Sequence, residues 1–343
     1  MSVLVTGGAG YIGSHAVKAL RARGADVVVY DDLSGGHRTA ANRAGAPLEV
    51  GSVHDVGRLR ELLTSRRVDA VMHFAAWLSV ADSVRDPVGY YQNNVGGALA
   101  VLRAMAEARV NHFIFSSTAA TFGDPVETPI TEDHPQRPIN PYGETKLAVE
   151  RALPHFERAY GIRSVTLRYF NAAGADPQGA LGEDHEPELH VIPRAIDAAL
   201  GRASFSMFGT DYDTPDGTCL RDYVHVTDLA SAHLLALDAL GAGGASASYN
   251  LGNGRPASVR DVVQSVERVT GRKVPMTVAD RRPGDPGVLF ASSDRIKRVL
   301  GWTPEYEALD VIVETAYRWR LAHPSGYGDR APASPKPPSG GGV

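Results

Sequence analysis

The run VLVTGGAGYIGSHAV, residues Val3–Val17, decides the fold. Val3, Leu4 and Val5 are an unbroken apolar run that predicts a buried strand over Val3–Thr6, and the pattern over Tyr11–Arg23 predicts a helix. Between them Gly7, Gly10 and Gly13 recur at three-residue spacing, and Gly8, Gly10 and Gly13 also fit the tighter G-x-G-x-x-G pattern. Glycine permits a tight turn, close approach of the backbone to a pyrophosphate, and close contact of helix with sheet. The helix start adds N–H groups and a positive dipole end suited to phosphate. A glycine pattern alone is a weak signal. A strand before it and a helix after it make it a dinucleotide-binding turn.

The rhythm continues outward. Asp26–Tyr30 (DVVVY) predicts a second strand, running into Asp31, whose carboxylate can accept hydrogen bonds from a ribose 2′-hydroxyl. Asp31 and Asp32 together would repel a 2′-phosphate, and Arg38 stands too far along to reverse this, so the expected cofactor is NAD. Strands predicted at Leu48–Val50, Ala70–Phe74, His112–Ser116 and Ser164–Arg168 alternate with helices at Val56–Arg66, Tyr90–Ala108 and Tyr142–Tyr160. Fully apolar strands joined by helices imply an α/β fold: a doubly wound parallel sheet (Rossmann-like) with a smaller α/β substrate-binding region. The smaller region follows from the break in rhythm after residue 172, where Gly, Pro and acidic residues crowd AAGADPQGALGEDHEPELH. Later helices are predicted near Ile192–Gly201, Val259–Thr270, Asp294–Leu300 and Leu309–Leu321. The expected division is an NAD-binding domain over 1–172, to which 222–252 returns, and a substrate-binding region over 173–221 and 253–325. Residues 326–343, rich in Pro, Gly and Ser, read as a disordered tail.

Composition limits the partners. The 343 residues are 43% hydrophobic and 22% charged, with a formal net charge of -4 and no basic block, which argues against nucleic acid and anionic membrane. Cys219 is the only cysteine, so no internal disulfide forms; no base neighbours it in DGTCLRDY, and a structural role is expected. No basic segment or cleavage site surrounds Val3–Val5, and no apolar stretch reaches the roughly twenty residues that span a bilayer. A cytoplasmic location is expected.

Tyr142-Gly143-Glu144-Thr145-Lys146 places Tyr142 and Lys146 one helical turn apart. A tyrosine titrates near 10, but an adjacent ammonium and a cationic nicotinamide both favour the phenolate. Alone, such a pair reads as a surface contact. The strand His112–Ser116, however, runs into SSTAATFG, which sets Ser116, Ser117 and Thr118 at a strand's carboxyl end, where open α/β sheets bind ligands. Thr118 there can donate to a sugar hydroxyl or relay its proton, whereas the bland reading of the three hydroxyls is a capped turn. The combination is far more specific than its parts.

At this density of motifs the chain resembles the extended short-chain dehydrogenase/reductase family and, within it, the UDP-glucose/UDP-galactose 4-epimerases. The resemblance runs from Val3 to about Tyr327 and rests on TGGAGYIGSH, HFAA, YYQNNVGG, FSSTAATFGD, NPYGETKLAVE, LRYFNAAGA, HEPELHVIP, DYDTPDGTCLRDYVHVTDLA, YNLGNG and RRPGD. It implies catalytic roles for Thr118, Tyr142 and Lys146. It implies cofactor contacts at Tyr11, Ile12, Asp31, Leu33, Val53, Phe74, Ala75, Ala76, Asn94, Ser116 and Phe170, beside the glycines, Asp32, Tyr142 and Lys146. For the nucleotide sugar it implies Thr118, Tyr142, Tyr169, Asn171, His190, Val191, Phe208, Arg221, Tyr223, Arg282, Asp285 and Leu289. Arg221 and Arg282 make physical sense, because guanidinium groups bind diphosphate oxygens bidentately. A homodimer built on the helices near 90–108 and 142–160 is likewise implied by the resemblance alone.

Three positions depart from the family pattern: Ser52 replaces a common Asp, Leu78 a lysine, and Phe122 a frequent Tyr. GEDHEPELH offers Glu183, Asp184, His185, Glu186 and His190, but its spacing fits no zinc signature, so no metal is expected and the segment reads as a solvated acidic loop that closes over the nucleotide. Related dehydratases carry Asp-Glu after the strand-end Thr; Ala119 and Ala120 stand there instead. The remaining rivals are a net dehydrogenase and a non-catalytic dinucleotide sensor. The expected activity is therefore nucleotide-sugar 4-epimerisation through a 4-keto sugar, with UDP-glucose/UDP-galactose, their N-acetyl forms and modified UDP-sugars open as substrates. Leu289, four residues after Asp285 where the resemblance places the pocket wall at the sugar's C2 substituent, is small enough to admit an N-acetyl group.

Overall fold

A computed structural model describes residues 1–281 and 286–329. The run that opens the chain becomes β1, Ser2–Thr6, with Val3, Leu4 and Val5 fully buried. It is followed by β2 (Asp26–Asp31), β3 (Leu48–Val50), β4 (Ala70–His73), β5 (His112–Thr118) and β6 (Arg163–Tyr169). With the strand Ala247–Leu251 they form a seven-stranded sheet, ordered Ala247–Leu251, β6, β5, β4, β1, β2, β3. Every pairing within it is parallel.

The alternation of side chains explains why both faces must be covered. Val3 and Val5 enter one buried cluster with Val17 and Leu20 from helix α1 (Tyr11–Ala22) and with Leu234 and Leu237 from the helix Val226–Gly241. Leu4, between them, enters the opposite cluster with Leu59, Leu102, Met105 and Leu153 from helices Val56–Ser65, Gly97–Ala108 and Pro141–Tyr160. Successive strand residues point to opposite faces, so an unbroken apolar run demands a layer on each side. A third cluster lies outside the sheet, where Ile192, Ile196, Val262, Val266, Ile312 and Val313 join the helices Val191–Ala199, Val259–Thr270 and Leu309–Ala322. The parallel pair Phe205–Phe208 and Met276–Ala279 packs beside it.

β1 pairs with β2 on one side and β4 on the other, so chain order reverses there. The crevice at the carboxyl ends of β1 and β4 is the place where such sheets bind ligands.

Two local expectations need correction. The single helix expected over Tyr90–Ala108 is three pieces: Pro87–Tyr90, a π-helical turn Tyr91–Gly96, and Gly97–Ala108. The disordered tail was expected from residue 326, yet Gly326–Asp329 pack on the domain. Tyr327 is buried, its hydroxyl bonded to Gly182 and its N–H donating to Asp184 at 2.8 Å, while Asp329 accepts from Thr39 N at 2.6 Å. An aromatic ring with partners that distant in sequence leaves no periodic trace.

Candidate active site

The glycine turn is dictated by contact distances. Gly7 has φ +74°, and a Cβ there would lie 2.4 Å from Ala75 N; one on Gly13 would lie 2.2 Å from Gly7 O. Neither place admits another residue. α1 begins after Gly10 with no side-chain cap, which leaves its amino end to an anion. Asp31 ends β2 in a buried position, where Oδ2 accepts from Ala9 N at 3.0 Å and Oδ1 from Leu33 N at 2.9 Å. Burial raises its pKa, against those two N–H groups, which lower it. Asp32 is exposed and holds its own turn through Ser34. Two carboxylates stand at this end of β2, one buried and one exposed, and such a cradle fits a dinucleotide with a free 2′-hydroxyl.

Around the cradle the expected contacts occupy distinct places. Tyr11 is buried and donates to Gly174 O at 2.6 Å, while Ile12 beside it is half-buried. Phe74, Ala75 and Ala76 follow β4, with Phe74 N and Ala75 N both donating to Thr6 O. Val53 is buried against Gly97, where an added Cβ would lie 2.7 Å away. Asn94 is buried in the π-helical turn; its Oδ1 accepts from Trp77 N at 2.8 Å, and its Nδ2 donates to Trp77 O and Thr145 Oγ1, both at 3.1 Å. Its amide therefore clasps the loop after β4 to helix Pro141–Tyr160. Of the three departures, Ser52 is exposed and accepts at its carbonyl from Tyr30 OH at 3.0 Å, Leu78 is exposed, and Phe122 is fully buried.

The residues expected to react gather at the carboxyl end of β5. Asn140 caps the helix Pro141–Tyr160 by accepting from Gly143 N at 2.9 Å, and Pro141 at its first position suits the fixed φ there. This sets Tyr142 and Lys146 on successive turns. Desolvation raises the pKa of Tyr142, and a hydrogen bond from Thr118 pulls it down again. Thr118 itself ends β5 and accepts from Ala120 N at 3.2 Å. Lys146 is buried, and burial brings its pKa down to about 8 against the charge of Glu150, which raises it. Its Nζ donates to Ser116 O at 2.9 Å and lies 5.1 Å from the centre of the Phe115 ring. The ammonium thus anchors on the strand end, and the phenol receives its hydrogen bond from Thr118.

Sequence reasoning missed a network beneath this point. Ser117 Oγ donates to Glu150 Oε1 at 2.5 Å, Gln136 Nε2 to Glu150 Oε2 at 3.0 Å, and Arg168 pairs with the same carboxylate at 2.7 Å. Glu150 and Arg168 side chains are only 6% and 7% exposed, so the ion pair is desolvated. The available signal was Glu150's position four residues after Lys146, on the same helix face. Ser116 Oγ bonds the hydroxyl of Tyr169, whose pKa burial raises.

Residues expected to meet the sugar nucleotide fall into three groups. Asn171 and Tyr223 are register partners in a short parallel pair, with Asn171 Nδ2 donating to Asp222 O at 2.9 Å and Phe170 half-buried just before them. Arg221 and Leu289 are likewise register partners, and Phe208 ends its strand half-buried. Val191 begins the helix Val191–Ala199, and His190 before it turns Nδ1 onto Glu183. Arg282 and Asp285 lie outside the described residues. The loop read as solvated is so only in part: Glu186, Pro187 and Leu189 are exposed, but Glu183 and Asp184 are 6% and 8% exposed, held by His185, His190 and Tyr327.

Comparison with known proteins bears on this arrangement. The profile of the NAD dependent epimerase/dehydratase family matches residues 3–252. The UDP-glucose 4-epimerase of Halalkalibacterium halodurans is 49% identical over 332 residues, covering 95% of this chain and 98% of its own. The crystal structure of UDP-glucose 4-epimerase from Brucella ovis in complex with NAD superposes with a TM-score of 0.90 at 49% identity, covering 92% of this chain and 97% of that one. The UDP-Glc/GlcNAc 4-epimerase from Campylobacter jejuni gives a TM-score of 0.81 at 37% identity, over 94% and 99%.

Proposed function

The chain belongs to the NAD dependent epimerase/dehydratase family, and from that premise we infer that it is an NAD-dependent UDP-sugar 4-epimerase, an isomerase, with Thr118, Tyr142 and Lys146 as its reacting group. The observation that carries the assignment of residues is the convergence of these three at the carboxyl end of β5, one strand from the glycine turn's crevice. NAD, when bound, supplies a hydride acceptor at C4 that returns the hydride to the opposite face. Tyr142, as the phenolate, takes the proton of the sugar 4-hydroxyl on oxidation and gives it back to the 4-oxygen on reduction, and Thr118 stabilises the phenolate by donating to it. Lys146, fixed on Ser116 O, holds positive charge near the strand end. Ala119 and Ala120, which follow Thr118, carry no group for an elimination step, and this separates the chain from the family's dehydratases. Tyr142→Phe removes only the phenolic oxygen and should cost about 10²–10⁴-fold in turnover with fold and bound NAD intact; near-normal turnover would refute the assignment.

The interconversion expected is that of UDP-glucose and UDP-galactose, extended to UDP-N-acetylhexosamines. Support for the extension is Leu289, which pairs in register with Arg221, and the likeness to an enzyme described as acting on both sugar classes. Asn171, Tyr223, Arg221 and Phe208 would hold the nucleotide sugar, with Tyr169, His190 and Val191 bordering it, and Arg282 and Asp285 by family resemblance. The division into an NAD-binding unit and a substrate-binding unit is part of the same reading. A homodimer is proposed through the helical segments near 90–108 and 142–160; exposed Tyr91, Leu99 and Tyr160 support it, and sedimentation as a 36.5 kDa species would exclude it. The cytoplasmic site expected from the single cysteine belongs to this proposal. Among the described residues no helix is long and apolar enough to cross a membrane.

A further inference from the structure

The segment between Gly182 and the helix Val191–Ala199 is short and polar, yet it folds inward on itself. One ligand atom from each of Glu183, His185, Glu188 and His190 lies within 4.8 Å of the others. His185 Nδ1 stands 3.1 Å from Glu183 Oε1 and 3.9 Å from Glu188 Oε1, and His190 Nδ1 meets the same Glu183 oxygen. Two imidazoles therefore aim at one carboxylate oxygen. Glu188 Oε2 is buried and accepts no hydrogen bond. Its nearest cation, Arg320, is 3.8 Å away and is engaged through two nitrogens with Asp197. Glu183 thus meets both imidazoles, and Glu188 faces His185 and Arg320, so two nitrogens and two carboxylates converge on one point.

We propose that Glu183, His185, Glu188 and His190 form a structural site for one divalent transition metal, zinc by preference. Tetrahedral ligands at 2.0–2.2 Å from a zinc ion are about 3.3–3.6 Å apart; two separations here, 3.1 and 3.9 Å, lie on either side of that range, and the shorter Glu183–His190 contact would open to admit the ion. A mixed set of imidazole nitrogen and carboxylate oxygen suits zinc and its neighbours; magnesium and calcium take oxygen shells. Four protein ligands fill a tetrahedral shell and leave no open position, so the ion stabilises without taking part in chemistry. It also neutralises both carboxylates. His185 packs edge-on to Tyr11 at 6.2 Å, so the ion staples this segment against the first turn of α1, beside the dinucleotide cradle. The spacing E-x-H-x-x-E-x-H hides the site from sequence, because all four ligands come from eight consecutive residues whose convergence depends on the fold of the loop.

The test uses full-length protein carrying its own NAD. After dialysis against metal-free buffer, elemental analysis should find about one zinc per chain. A strong chelator should remove it with a fall in melting temperature, and Zn²⁺ alone, not Mg²⁺ or Ca²⁺, should restore both. Cobalt(II) loaded in its place should show the intense visible bands of a tetrahedral site. His185→Asn keeps an amide N–H that can donate to Glu183 but offers no ligand nitrogen, so it should lose at least about tenfold in zinc affinity. Unchanged zinc affinity in that variant would overturn the proposal. Less than about a tenth of a metal per wild-type chain, with a melting temperature unmoved by added Zn²⁺, would overturn it as well, whether or not the variant folds.

Discussion

Thr118 bonds in two directions: its side-chain oxygen accepts from Ala120 N, and its hydroxyl donates to Tyr142. Because desolvation raises the Tyr142 pKa and Thr118 lowers it, replacing Thr118 with Val should leave the phenol harder to ionise. A base must be deprotonated to work, so activity rises with pH through its pKa, and a higher pKa moves the acid limb to higher pH. Thr118→Val should move that limb to higher pH and cost about tenfold at neutral pH, with recovery as pH rises. An unshifted limb would show that Thr118 only shapes the turn. Leu289, proposed for the pocket wall at the sugar's C2 substituent, is tested at the same scale. Leu289→Tyr should selectively remove turnover of N-acetyl sugars by adding a ring to the pocket wall; equal effects on both substrate classes, or none in the wild type, would refute the gate. Tyr142 and Lys146 were legible only once their spacing was joined to the hydroxyls at the end of β5, and the anchoring of Lys146 on Ser116 O was not legible at all, because β5 and the helix meet only in the fold.

The helix Pro141–Tyr160 carries Tyr142, Lys146 and Glu150 at intervals of four, and thereby couples the proposed reacting end to a buried ion pair. Glu150 holds Ser117, the residue before Thr118, and Arg168 on the neighbouring strand β6. Removing one partner of a buried pair strands the other charge. Glu150→Ala should therefore destabilise the fold by about 3–5 kcal/mol, read from denaturant midpoints, with Glu150→Gln milder because it keeps an acceptor for Ser117. Equal stability of Glu150→Ala and wild type would show that water reaches Arg168 freely. Single elements were the most legible level of the sequence: Leu48–Val50, Val259–Thr270 and Asp294–Leu300 have the expected bounds. Capping explains one of them, since Ser258 and Asp261 form a reciprocal capping box. The π-helical turn escaped because apolar periodicity reads straight through it, whereas the extra residue serves Asn94, whose amide reaches Trp77 and Thr145.

At the scale of the whole molecule, the sheet was readable because runs such as Val3–Val5 and Val27–Tyr30 can be buried on both faces only where helices cover each side of a parallel sheet. The closures between distant segments were not readable, for their partners share no period. Tyr327 is the clearest case. Its ring lies 4.9 Å from that of His37 and 5.3 Å from that of Trp319, and Arg43 stands over it at 5.6 Å. Its hydroxyl accepts from Gly182 N at 3.0 Å, across 145 residues of sequence. One side chain thus ties the segment after Asp31, the start of the 182–190 loop and the helix Leu309–Ala322 into a single closure, which Asp329 extends to His37 and Thr39. Tyr327→Ala deletes a buried ring at this junction and should cost about 3–5 kcal/mol of stability. Tyr327→Phe keeps the ring but leaves Gly182 N without its acceptor, a loss of about 1–3 kcal/mol. The order of the two separates packing from hydrogen bonding: a Phe variant as damaged as Ala would assign the closure to the hydroxyl, and an Ala variant within about 0.5 kcal/mol of wild type would show that the segment merely rests on the surface.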